Sequence, residues 1–135
     1  LGGGLYTPAA SARTYVRLLQ LADLLLVAGH SVLVDATFMK HDHRQPFRAL
    51  AAQHDVPFIL LDCAADPALL RQRVAIRRAR GDDAAEADVE VLERQLRYDE
   101  PPATDEFPLT TRDDHDLESL HTAIMAAIAA DSFNS

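Results

Sequence analysis

The sequence predicts an α/β fold, a parallel sheet with helices flanking it. Two observations carry that expectation. Apolar runs at 31–36 (SVLVDA) and 57–63 (PFILLDC) are too continuous for a half-exposed strand and read as strands buried on both faces. Between and after them lie segments with apolar residues at helical spacing, two of them opened by a capping residue followed by proline. Buried strands alternating with helices are the pattern of a parallel, doubly wound sheet.

The elements follow in order. Thr7 can cap a first helix with Pro8 at its first position; Tyr15, Leu18, Leu19, Ala22, Leu25 and Leu26 keep helical spacing, and Gly29 ends it. Residues 31–36 form the first strand. Residues 42–54 read as a helix with Phe47, Leu50 and Ala51 facing inward and Pro46 near the first turn, where proline is tolerated. The strand at 57–63 leads to Asp66-Pro67, again a cap with proline behind it. That pair opens a helix through Leu69, Leu70, Val74 and Ile76, which runs into RRARGDD. Asp83 and Glu86 have capping-box spacing for a further helix carrying Val89, Leu92 and Leu96. PPATDE breaks the chain, and a short strand is expected around Phe107–Thr111. A last helix, roughly 116–130, carries Leu117, Leu120, Ile124 and Ile128 on one face. With no repeat, low-complexity segment or dividing linker, residues 1–135 are expected to form a single domain.

Composition narrows the functional classes. Of 135 residues, 48% are hydrophobic and 25% charged, an ordinary globular balance. A single cysteine, Cys63, excludes a disulfide framework and is expected to be a small core residue rather than a nucleophile. No apolar run is long enough for a membrane span and no basic, signal-like region opens the chain, so a cytoplasmic location is expected. The chain begins at Leu1 rather than Met, which fits a processed protein or a piece of a longer one. Residues 1–80 carry ten Arg plus Lys against six Asp plus Glu, whereas residues 81–135 carry three against fifteen. That acidic half argues against nucleic acid as a partner, because such binding needs a basic footprint.

Three clusters bear chemistry. Asp35 ends an apolar run in "VLVDATF", where an unpaired buried carboxylate would cost several kcal/mol. In a doubly wound sheet, ligands sit beyond the carboxyl ends of the strands, which is where Asp35, Thr37 and Asp62 fall. Asp35 with Thr37 suits an acid that helps hold Mg²⁺, directly or through water; it equally suits a carboxylate that caps the following helix or bonds nearby amides. Arg71, Arg73, Arg77, Arg78 and Arg80, followed by Gly81-Asp82-Asp83, exceed what a helix C-terminus needs and suit a mobile lid that neutralises phosphate charge. His41, Asp42 and His43 match no closed zinc spacing and read as exposed residues opening a helix, leaving metal-dependent hydrolysis a minor alternative. The Walker A pattern is not found in these 135 residues: their one lysine, Lys40, follows Met39, and the glycines at 2–4 precede no Lys-Ser/Thr.

The segments LYTPAASARTYVRLLQLADLLLVAGHSVLVDATF, VPFILLDC and RRARGDDAAEADVEVLERQL resemble the C-terminal two-thirds of a predicted bacterial P-loop kinase. That group is placed with the AAA-family ATPases, is sometimes fused behind an aminoglycoside-phosphotransferase-like domain, and is similar in layout to polynucleotide kinase and zeta-toxin kinase domains. The resemblance implies a five-stranded parallel sheet of order 2-3-1-4-5, with strands three to five present here. Walker A after strand one and a substrate-activating acid after strand two would lie before Leu1. It also implies ATP and Mg²⁺ as cofactors, Asp35 and Thr37 as the strand-three acidic motif beside Mg²⁺ or the acceptor, and a lid at 77–98. Arg73, Arg77 and Arg80 would be its phosphate-contacting arginines, with Arg78 beside them in the nucleotide-facing set.

On this resemblance the chain is expected to be part of an ATP-dependent phosphotransferase acting on a small-molecule acceptor. It would supply the acceptor-side acid and the arginine lid, and be inactive without an N-terminal P-loop segment. The alternative is a non-catalytic interaction or oligomerisation module derived from such a kinase. Strand one would lie between strands three and four, so without it both would present open edges. Three solutions are expected: direct pairing of 31–36 with 57–62, a homodimer, or pairing with an N-terminal segment.

Overall fold

The structure, a computed structural model, describes residues 8–79, 85–112 and 117–131. The chain divides into two units, Leu1–Phe58 and Ile59–Ser135. The expected α/β class is borne out: five α-helices accompany a parallel two-stranded sheet.

In the first unit, α1 runs from Pro8 to Val27 and α2 from His41 to Gln53. α1 stops where the sequence places glycine. Gly29 has φ +79, and the His30 and Gly29 amides donate to the Leu25 and Leu26 carbonyls, at 3.0 and 2.9 Å. This left-handed closure satisfies carbonyls that the helix end would otherwise leave open. α2 ends the same way on Asp55, with φ 53; the Val56 and Asp55 amides reach the Ala51 and Ala52 carbonyls. The core is Ala22 from α1 with Phe47 and Leu50 from α2, flanked by Tyr15, Leu18, Leu19, Leu26, Val32, Val34, Phe38 and Phe58. A 2.7 Å contact between His54 Nε2 and Asp23 Oδ1 ties the end of α2 to α1.

Residues 31–36 depart from expectation. They join no ladder among the described residues, and they are not buried on both faces. Val32, Val34 and Ala36 are half-buried, while Ser31, Leu33 and Asp35 are exposed, Leu33 at 91%. The segment packs one side on the α1–α2 core, and with no neighbouring strand the aliphatic composition alone cannot bury the other. The expected pairing of 31–36 with 57–62 is not among the ladders of the described residues.

In the second unit, β1 (Leu61–Cys63) pairs in parallel with β2 (Leu109–Thr111), Asp62 opposite Thr110. Leu60 extends the ladder by accepting the Leu109 amide at 2.8 Å. Between the strands lie α3 (Pro67–Ala79) and α4 (Ala85–Tyr98), and α5 (Leu117–Asp131) follows β2. The Asp66 cap is as expected: its Oδ1 accepts the Ala68 amide at 2.7 Å, just behind Pro67. The expected Asp83 cap lies outside the described residues. One apolar assignment changes: Phe107 is not in the strand but in a left-handed turn (φ 50), 76% exposed, and Leu117, which opens α5, is exposed. Cys63, expected in the core, is exposed at the end of β1, where the short ladder gives it no cover.

Candidate functional site

Side chains from both helices of the first unit fix the Asp35–Phe38 turn. Because side chains alternate along an extended segment, Asp35 and Thr37 share its exposed side while Ala36 and Phe38 face inward. Asp35 therefore escapes the desolvation penalty that a buried position would impose. It does not cap α2 either, since the N-cap position is Lys40 and carries no side-chain capping bond.

The chain then turns sharply. Phe38 has φ 43, a left-handed conformation that a bulky residue adopts only when its surroundings enforce it. Two side chains grip its backbone. The Tyr15 hydroxyl accepts the Phe38 amide at 3.0 Å, and the Arg44 Nη1 donates to the Phe38 carbonyl at 2.8 Å. The same Tyr15 hydroxyl lies 3.1 Å from Thr37 Oγ1. Below the turn the Phe38 ring meets Tyr15 at 5.3 Å and, edge-on, Phe47 at 5.1 Å. His43 stacks on Tyr15 at 4.1 Å, and its buried Nδ1 has no hydrogen-bond partner.

Sequence reasoning treated the stretch 40–44 as an exposed helix opening. That holds for His41 and Asp42, but Arg44 is 4% exposed. A buried guanidinium requires acceptors, and the Phe38 carbonyl is one of them. Neither Arg44 nor Tyr15 was legible as a site residue. Tyr15 sits on the core stripe of α1, and only the wet end of its ring separates it from the leucines around it.

The arginines expected in a lid fall in the second unit's stretch of sequence. Arg73 is exposed on α3, Arg77 and Arg78 lie in the last turns of the same helix, and Arg80 is outside the described residues. Arg71, also in the cluster, is held by Glu93 of α4: Nε to Oε1 is 2.7 Å and Nη2 to Oε2 is 3.4 Å. Hydrogen bonding to Glu93 raises the Arg71 pKa, and the reciprocal bond lowers that of Glu93. That arginine staples α3 to α4. Asp62 on β1 faces Thr110 on β2, with Oγ1 3.5 Å from the Asp62 Oδ2.

Comparison with known proteins adds the family. A family model described as an AAA domain matches residues 3–102, most of the chain. The chain belongs to the AAA domain family. Its P-loop, kinase-like ancestry makes this a nucleotide-binding lineage. One uncharacterized protein of Mycobacterium bovis and two of Mycobacterium tuberculosis are each 33% identical over 100 residues, 73% of this chain and 20% of theirs. The chain thus spans about a fifth of the length of these curated relatives. No solved structure matches it. No helix of the described residues is long and apolar enough to cross a membrane.

The residues of the turn fit the Mg²⁺ that this family generally uses with nucleotide. Mg²⁺ typically takes one or two protein carboxylates and keeps water and phosphate oxygens for its other positions. Asp35 offers one exposed carboxylate with a hydroxyl two residues on. No group of three or more His, Cys, Asp and Glu converges as an all-protein metal cage among the described residues, His41 and His43 included.

Proposed function

We propose that the chain is the acceptor-side part of an ATP-dependent phosphotransferase. The carrying observation is the Asp35–Thr37 pair, held on the exposed side of a turn whose backbone two helices fix. Asp35 serves as the acid that orients a hydrated cation or the acceptor hydroxyl. Thr37 offers its hydroxyl two residues on, from the same exposed side. ATP with Mg²⁺, when bound, supplies the phosphoryl group and charge neutralisation across the phosphate oxygens. Arg77, Arg78 and Arg80, within a lid at 77–98, and Arg73 just before it are the groups that balance negative charge. Positioning and electrostatics are what such a site must provide, since the transferred group needs little covalent help. A small molecule is the proposed acceptor.

Asp35→Asn tests this reading in the full protein. The substitution is at an exposed, uncapping position, so the thermal midpoint is expected to stay within a few degrees. Mg²⁺-dependent phosphoryl transfer is expected to fall at least about tenfold. A clearly lowered thermal midpoint with undiminished turnover at temperatures where the variant stays folded would instead make Asp35 structural and remove the reading.

A second reading has its own observation. Val16, Leu24 and Val27 on α1 and Leu33 are exposed apolar residues on the first unit, as an interaction or oligomerisation module would have. Concentration-dependent sedimentation separates it from a catalytic monomer.

A further inference from the structure

Resting on that reading, we infer that Tyr15 and Arg44 are the positioning residues of the acid motif: a two-sided clamp that fixes the Thr37–Phe38 turn and with it the Asp35–Thr37 pair. The inference starts from an outlier. A left-handed phenylalanine is disfavoured by roughly 1–2 kcal/mol relative to ordinary backbone, so something must hold it. Three things do. Tyr15 takes the Phe38 amide, Arg44 takes the Phe38 carbonyl, and Phe47 closes on the ring. Both backbone groups of one residue are thus satisfied by side chains from two different helices. A turn needed only to link an extended segment to a helix could use glycine and no clamp. Here a strained residue is over-determined, and the residues immediately before it are the exposed acid and hydroxyl.

Tyr15 also reaches past Phe38 to the Thr37 hydroxyl at 3.1 Å. A hydroxyl with one fixed neighbour has fewer directions left for its remaining donor or acceptor capacity. Tyr15 therefore sets both the backbone and the side chain of the motif, without itself touching substrate. Arg44, buried, acts on the turn through the Phe38 carbonyl. A positioning error of about 1 Å at such a site can cost about a hundredfold in rate, which is the scale on which a clamp matters.

The test uses Tyr15→Phe, which keeps the ring stack with His43 and Phe38 and removes only the hydroxyl; Arg44→Lys is the second, charge-retaining variant. Hydrogen–deuterium exchange read by mass spectrometry in peptides covering 31–41 is compared with turnover of Mg²⁺-ATP by the full protein. The clamp predicts that Tyr15→Phe speeds exchange at the Phe38 amide by about fivefold or more, with α1 and α2 protection unchanged. It further predicts a fall in kcat of about tenfold with KM for ATP within about twofold, because an aligned acid rather than ground-state binding is lost. Unchanged exchange overturns the clamp whatever the activity does. Faster exchange with undiminished kcat overturns the positioning role and leaves phosphoryl transfer standing. A wild-type protein that transfers no phosphate sinks the functional reading instead, and exchange alone then decides the clamp. Arg44→Lys is expected to loosen the same peptide, and exchange equal to wild type in that variant removes Arg44 from the clamp.

Discussion

At the scale of single residues, backbone conformation separates positions that resemble one another in sequence. Gly29 and Phe38 both have positive φ, yet they are different cases. Around Gly29 a built Cβ would meet no atom within 4 Å, so space does not require glycine; the φ of +79 does. Gly29→Ala is therefore expected to destabilise the first unit by about 1 kcal/mol, the penalty of forcing a side chain into the left-handed region. Urea unfolding with an unchanged m-value measures it, and a neutral substitution would mean that α1 can end some other way. Glycine after an apolar helical stripe is a stop signal that can be read directly, and the end of α1 was. Phe38 was not, because nothing in "DATFMK" announces a left-handed phenylalanine. Its conformation depends on Tyr15 and Arg44, 23 residues before it and six after. Local pattern carries the first kind of information and not the second.

At the scale of elements, legibility follows whether an element depends on its own sequence or on a neighbour. The Asp66-Pro67 start of α3 and the core face of α2 are local, and both stand as expected. The segment 31–36 has strand composition but no ladder among the described residues, because a strand is completed by a partner's amides and carbonyls. The β1–β2 ladder, by contrast, has both of its strands among the described residues, paired in parallel with Asp62 opposite Thr110. The arginine cluster shows the same division. Five arginines between 71 and 80 looked like a surplus, and Arg71 is accounted for by Glu93, a pairing set by how α3 meets α4. Its pH dependence has a definite sign. The Glu93 pKa is lowered by its hydrogen bond to Arg71, so the pair's contribution is present above the unfolded glutamate value and fades as pH falls through the lower folded one. The raised Arg71 value acts only at strongly alkaline pH. Both groups are exposed, so the effect is small. Glu93→Gln is expected to lower the thermal midpoint of the second unit slightly at pH 7, and the difference is expected to shrink as pH falls through the carboxylate range. A difference that does not change with pH would assign Glu93 a packing role instead.

At the scale of the whole molecule, charge distribution bears on which acceptor can approach. Net charge is −8, yet residues 1–80 carry an excess of basic groups and residues 81–135 a larger excess of acidic ones. A polyanion should feel the basic stretch only weakly, and mostly at low ionic strength, since the screening length falls from about 30 Å at 0.01 M salt to about 8 Å at physiological salt. A nucleic-acid acceptor would need several phosphate contacts and would give a steep, sequence-independent salt slope. The chain is accordingly expected to retain single-stranded DNA weakly at 10 mM salt and not measurably at 150 mM, as followed by fluorescence anisotropy of a labelled 20-mer. A small phosphate acceptor recognised by Asp35 and Thr37 would behave differently. Its binding would depend on a few short-range contacts, lose little between those two salt concentrations, and weaken in Asp35→Asn. Micromolar DNA binding that survives at 150 mM would show that the acidic stretch does not shield the basic one, and would move the proposed acceptor from a small molecule to a nucleic-acid end.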